Sequence, residues 1–183
     1  MRVMRMVEAN DSNGFMMGDK IEVDLDGFGS FTATCQEVKD GSALFFMDDC
    51  VTDRPMNQES TNKGGFKASD LCVWIQERLA PAFRELFRDR LQYVTIPTKE
   101  QIFGKDEYAD NYESLGEDQP PLQKIRQNRV CSDPEGDWDW YWLQNRRLNS
   151  AGHFAAVNSD GASRYAGASY SYGVRPAFAL TDR

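Results

Sequence analysis

Chemistry at a protein site needs particular side chains brought together, and this chain is sparing with them. His153 is the one histidine, so a serine or cysteine nucleophile with an imidazole base would have to be built on it. It stands inside a Ser/Gly/Ala/Tyr stretch with no sustained period, a poor place for a fixed general base. Cys35, Cys50, Cys72 and Cys131 are widely separated and form no CxxC pair; zinc-site and redox-motif spacings are both missing, and buried free thiols are expected ahead of disulfides. Asp133, Glu135, Asp137 and Asp139 could offer oxygen ligands. Their spacing does not match an EF-hand loop, and an acidic surface turn is the simpler reading. No catalytic residue, metal or cofactor is therefore expected. Arg175, beside Pro176, is expected to make a buried hydrogen-bonding or ionic contact that pins the last strand.

The stretch from Asn149 to Tyr172 is different in kind. It mixes tyrosine with Ser, Gly, Ala and Asn, and it follows neither a helical stripe nor an alternating strand over its length. It is read as mostly loop, with brief strands around Phe154 to Val157 and Ser163 to Tyr165. Tyrosine among short polar residues is paratope chemistry: the ring supplies rigid contact area at small entropic cost, and the short groups supply adaptable hydrogen bonds. A flexible linker would not carry three tyrosines between an aromatic segment and a closing strand. The same window lacks Lys, Glu, Gln, Met and Trp, which make up roughly a quarter of the other positions. Those are the five types that an AAC codon cannot reach when its two adenines are randomised, so the window is compatible with adenine-directed mutagenesis.

The elements that would hold this surface are legible in outline. A chain of 183 residues with 40% hydrophobic and 12% aromatic content can bury a core as one domain, residues 1–183. A formal charge of -8, with no basic run longer than Arg146-Arg147, argues against nucleic acid. Met1 to Gly18 lacks the apolar run of a signal peptide, and no 18-residue apolar stretch occurs, so no membrane insertion is expected; display on a virus particle or cell surface stays open. Residues 1–17 are a polar lead-in. Lys20 to Leu25, Phe31 to Val38 and Ser42 to Met47 are predicted as an antiparallel meander turned at Asp26-Gly27 and Lys39-Asp40-Gly41. Ser69 caps a helix through Leu71, Trp74, Ile75 and Leu79 to a break at Pro81, and a second helix runs from Ala82 to Arg90 with Phe83, Leu86 and Phe87 facing the core. Tyr93 to Ile96 is a short strand, and Thr98 to Gln101 caps a helical turn stopped by Gly104. Residues 105–136 are a surface excursion, Trp138 to Leu143 resumes the core, and Val174 to Leu180 closes the fold.

Gly18-Asp19-Lys20-Ile21, the helix start Ser69-Asp70-Leu71-Cys72-Val73-Trp74-Ile75, Trp142-Leu143-Gln144 and the ending Gly173-Val174-Arg175-Pro176-Ala177-Phe178 together resemble a domain family of gut bacteria and their phages. That family has no assigned enzymatic activity and is similar to the formylglycine-generating-enzyme type of C-type-lectin fold. The resemblance spans roughly residues 18 to 180. It implies an α+β, C-type-lectin-like fold: antiparallel strands, two helices and long C-terminal loops, with residues 142–180 as the ligand-binding region and closing strand. Members of the wider fold group include variable proteins of diversity-generating retroelements, in which adenine-directed errors randomise codons on an exposed ligand-binding face. By that analogy Phe154, Val157, Gly161 and Gly173 to Pro176 are scaffold. The ligand-binding positions are Asn149, Ser150, Gly152, His153, Ala155, Ser159, Ala162, Ser163, Arg164, Tyr165, Ala168, Ser169, Tyr170, Ser171 and Tyr172. The cysteine pair that formylglycine-generating enzymes use near their C-terminal region is absent there, since Cys131 alone lies near the end, and the calcium-ligand motifs of sugar-binding lectins are missing as well. The implied function is non-enzymatic recognition of a macromolecule, a cell-surface protein or glycan. The alternative is an invariant assembly module of a phage particle or surface complex.

Overall fold

Period-two alternation begins the fold where the sequence predicts it. In the structure, a computed structural model that describes residues 5–8, 14–104, 109–116 and 126–182, β1 (Lys20–Leu25) buries Ile21, Val23 and Leu25 and exposes the residues between them. It pairs antiparallel with β2 (Gly29–Lys39), which turns through Asp40 and Gly41, both at positive φ, into β3 (Ser42–Met47). Two consecutive left-handed residues match the right-handed twist of the flanking strands, and aspartate-glycine tolerates them. β4 (Thr52–Pro55) leaves this meander for a second sheet.

The helices depart from expectation at Pro81. Ser69 caps α1 (Asp70–Trp74) by accepting from the Cys72 N–H, as predicted. The chain then runs through one π turn (Ile75–Leu79) directly into α2 (Ala80–Phe87) without breaking. In a regular helix the proline ring would meet the carbonyl four residues back. Here the Ala80 N–H reaches back to the Ile75 carbonyl, five residues away, and the wider turn makes the room. Phe83 and Phe87 of α2 face the first sheet. After Arg88, at φ 53, β5 (Leu91–Thr95) begins, and α3 (Lys99–Phe103) follows behind a complete Thr98/Gln101 capping box.

Beyond α3 come a two-stranded ribbon, β6 (Cys131–Ser132) with β7 (Trp138–Asp139), and then β8 (Tyr141–Arg146), β9 (His153–Val157), β10 (Ser163–Gly167), β11 (Ser171–Val174) and β12 (Ala177–Thr181). Parts of the predicted lead-in (1–4, 9–13) and of the predicted excursion (105–108, 117–125) lie outside the described residues. One sheet has the order β1-β2-β3-β12-β5, the other β10-β9-β8-β11-β4. The closing strand β12 is thus central, hydrogen-bonded to β3 and β5 on either side. β8 pairs with β11 in parallel, and the other strand pairs among the described residues are antiparallel. The protein is α+β, with mostly antiparallel sheets.

At its centre, β3 and β12, the first sheet is covered on both faces. Phe45 and Phe178 face the helical run, where Phe178 stacks on Phe87 at 5.4 Å and meets Phe83 at 4.9 Å. Phe46 and Ala177, one residue along, face a second apolar cluster with Tyr141, Leu143, Ala155 and Val157 from the other sheet. Arg175 is buried as expected: its Nε donates to the Met47 carbonyl at 2.7 Å and its Nη1 to the Tyr141 hydroxyl at 3.1 Å, joining the two sheets.

Candidate functional site

In the window 149–172 the two brief strands predicted around Phe154 to Val157 and Ser163 to Tyr165 are present, each slightly longer, and tight turns stand where long loops were expected. β9, β10 and the start of β11 occupy half of it, joined by a turn at 158–162 that Asn158 closes by accepting from the Ala162 N–H, and by a second at 168–170. Alternating burial is absent because β9 lies between β8 and β10 with an apolar cluster on each face. Phe154 and Ala156 enter one, Ala155 and Val157 the other.

That layering corrects part of the predicted surface. Ala155 and Ala168 are fully buried. Gly152 is buried too, and a Cβ there would stand 2.8 Å from the Ser60 carbonyl oxygen. These three are framework. Asn149, Arg164, Tyr165, Ser169, Tyr170 and Ser171 are exposed, and Ser150, His153, Ser159, Ala162, Ser163 and Tyr172 are partly so. Phe154, Val157, Gly161, Gly173, Val174, Arg175 and Pro176 are buried.

Surface and half-buried rings form a ridge of two linked groups, Trp140–Tyr172–Tyr170 and His153–Tyr165, which adjoin through the Gly167–His153 strand pair. Trp140 stacks on Tyr172 at 5.4 Å, and Tyr172 neighbours Tyr170 at 6.5 Å. Tyr170 lies over Gly167, where an added Cβ would meet its ring at 3.0 Å, so the glycine is the seat of the tyrosine. Gly167 pairs with His153, whose ring meets Tyr165 edge-on at 5.4 Å, and the Arg147 guanidinium covers Tyr165 at 3.7 Å. Tyr165 is 47% and Tyr170 64% exposed, whereas Tyr172 is wedged between Trp140 and the buried Trp142. Trp138, expected to resume the core, is instead 72% exposed at the end of the β6–β7 ribbon.

One residue that positions the ridge escaped the sequence reading. Asn62 sits in a polar, glycine-bearing segment with no periodic signal. Its Nδ2 reaches the carbonyls of Arg147, Ser150 and His153 at 2.9, 2.7 and 3.0 Å and so clamps the β8–β9 turn. Beside that turn a groove of about 510 Å³ is lined by Asn62, Arg146, Arg147, Asn149 and Ser150 among others. Arg146 faces Glu113 across 3.2 Å, while no carboxylate pairs with Arg147 among the described residues. The groove therefore brings positive charge to one end of an aromatic ridge in an acidic protein.

His153 hydrogen-bonds Ser150 through Nδ1. No carboxylate meets its other ring nitrogen among the described residues, so the third member that orients a catalytic imidazole is lacking there. At the opposite end of the ridge Asp53, on β4, has its carboxyl pushed up to about 6 by partial burial and then by the charge and hydrogen bond of Asp139, with Asp133 and Glu135 adding to it. Among the described residues no three His, Cys, Asp or Glu side chains gather as a metal site, and no helix is long and apolar enough to cross a membrane.

In comparison with known proteins, residues 40–182 match DUF6273, a domain family of unknown function. No curated protein and no solved structure matches the chain.

Proposed function

We propose that this chain, which belongs to the DUF6273 family, is a non-enzymatic recognition protein: a C-type-lectin-like framework presents the Trp140–Tyr172–Tyr170–Tyr165 ridge to a macromolecular ligand, a cell-surface protein or glycan. The observation that carries the reading is the ridge itself. Exposed tyrosines held by a sheet lose little entropy on contact, and hydroxyls at Ser163, Ser169 and Ser171 surround them with adaptable hydrogen-bonding groups. The lectin-like reading draws further support from the central closing strand β12 and from the second sheet, which carries the 149–172 window on β9, β10 and β11.

We also attribute the window's composition to diversification by a retroelement, with the variable codons restricted to positions that solvent reaches. Sequencing the 3′ end of the gene across a population tests this. Substitutions should fall at Arg164, Tyr165, Ser169, Tyr170 and Ser171 and spare Gly152, Ala155 and Ala168. A uniform 3′ end would favour an invariant assembly module instead. For binding itself, Tyr165 and Tyr170 changed together to Ala should weaken capture of a cell-surface protein or glycan by about 30-fold or more, as loss of hot-spot rings does. The melting temperature should stay close to wild type. Undiminished capture would rule out the ridge as the contact surface.

A further inference from the structure

Cys50 and Cys131 come from distant parts of the chain, one in the turn after β3, the other in β6. Their sulfurs nonetheless stand 2.7 Å apart. That is about 0.7 Å beyond a disulfide bond, and the backbones are already aligned for one, because the Cys50 N–H donates to the Ser132 carbonyl at 2.8 Å. Both thiols are buried, and neither has a structural task that a thiol alone performs: the Cys131 sulfur otherwise approaches only the Ser132 carbonyl, at 3.8 Å. The other two cysteines, Cys35 and Cys72, have no thiol partner of this kind.

We infer that Cys50 and Cys131 are a disulfide-forming pair, a modification site that takes a low-molecular-weight disulfide as its oxidant. One cysteine thiolate attacks a sulfur of the small disulfide and releases one small thiol, leaving a mixed disulfide on the protein. The neighbouring cysteine, losing its proton, attacks the protein sulfur of that mixed disulfide and expels the second small thiol. The two cysteine sulfurs are oxidised, the small disulfide is reduced, and each departing thiolate takes up one of the two protons released. Burial of both groups, which pushes the Cys50 thiol well up, makes the exchange slow in the closed fold; it proceeds as the β6–β7 ribbon lifts from the turn at Cys50. The product fastens the ribbon that carries Trp138, and the Trp140 that follows it, to the body of the protein.

The test uses the full chain with oxidised glutathione, quenched in denaturant with an alkylating reagent and read by intact mass and peptide mapping. Two of the four cysteines should escape alkylation, with one cross-linked peptide pair containing Cys50 and Cys131 and the loss of two hydrogens. Cys35 and Cys72 should stay alkylated, and the oxidised protein should melt several degrees higher, because the bond closes a long loop. Alkylation of all four cysteines, or a cross-link that joins Cys50 to any other cysteine, would overturn the inference. The wild-type measurement decides it without a variant, and Cys35→Ser with Cys72→Ser should leave the cross-link unchanged.

Discussion

At the scale of single residues, the three tyrosines of the ridge divide by their neighbours. Tyr165 and Tyr170 present their rings to solvent, but Tyr172 lies flat on Trp140 and edge-on to Trp142. Tyr172→Ala should therefore lower stability by about 1–3 kcal/mol, where loss of either exposed ring should not, and thermal melts of the three single variants check the ranking. Asp53 makes a second prediction. Its carboxyl ionises near 6 in the folded chain against 3.8 for an ordinary aspartate, chiefly through burial and then through Asp139. A raised folded value favours the protonated form. The stability this lends is full below about 4 and is lost as pH rises through 6. Asp53→Asn should remove that dependence and melt above wild type at pH 7, with the gap closing toward pH 4. A gap independent of pH would show that Asp53 does not titrate in this way.

Between elements, the β8–β9 turn depends on an amide supplied from the 57–65 segment. Asn62 serves three carbonyls with two hydrogens, so Asn62→Ala leaves those acceptors without their donor and should cost about 1–3 kcal/mol. Asn62→Asp should cost more at neutral pH, since it sets a carboxylate against those carbonyls, and part of the loss should return in acid. Denaturant unfolding at pH 7 and pH 4 measures both. The helical run makes a related point: Pro81 in sequence signals a break, but a π turn one residue earlier absorbs the ring and keeps α1 and α2 continuous. Local rules read the proline correctly as a disruption and could not see that packing of Phe83 and Phe87 on Phe178 holds the chain in helix across it.

For the molecule as a whole, what was legible followed from local periodicity and turn chemistry. The meander β1 to β3, the Ser69 and Thr98 caps, the buried Arg175 and the closing strand all announce themselves within a few residues of chain. In the window 149–172 the two short strands were legible but their exposure was not, because β9 is covered on both faces and so shows no alternation, and short residues such as Ala155 and Gly152 look alike whether exposed or enclosed. Exposure there is a property of the layers, and Asn62 reaches the site from nearly ninety residues away. Sheet order has one more effect. The strand completing the first sheet, β12, is also the last of that sheet to be synthesised, yet it sits between β3 and β5. Any copy cut short before Ala177 therefore leaves β3 and β5 with unpaired edges on either side of an empty strand position, open to pairing with neighbouring chains.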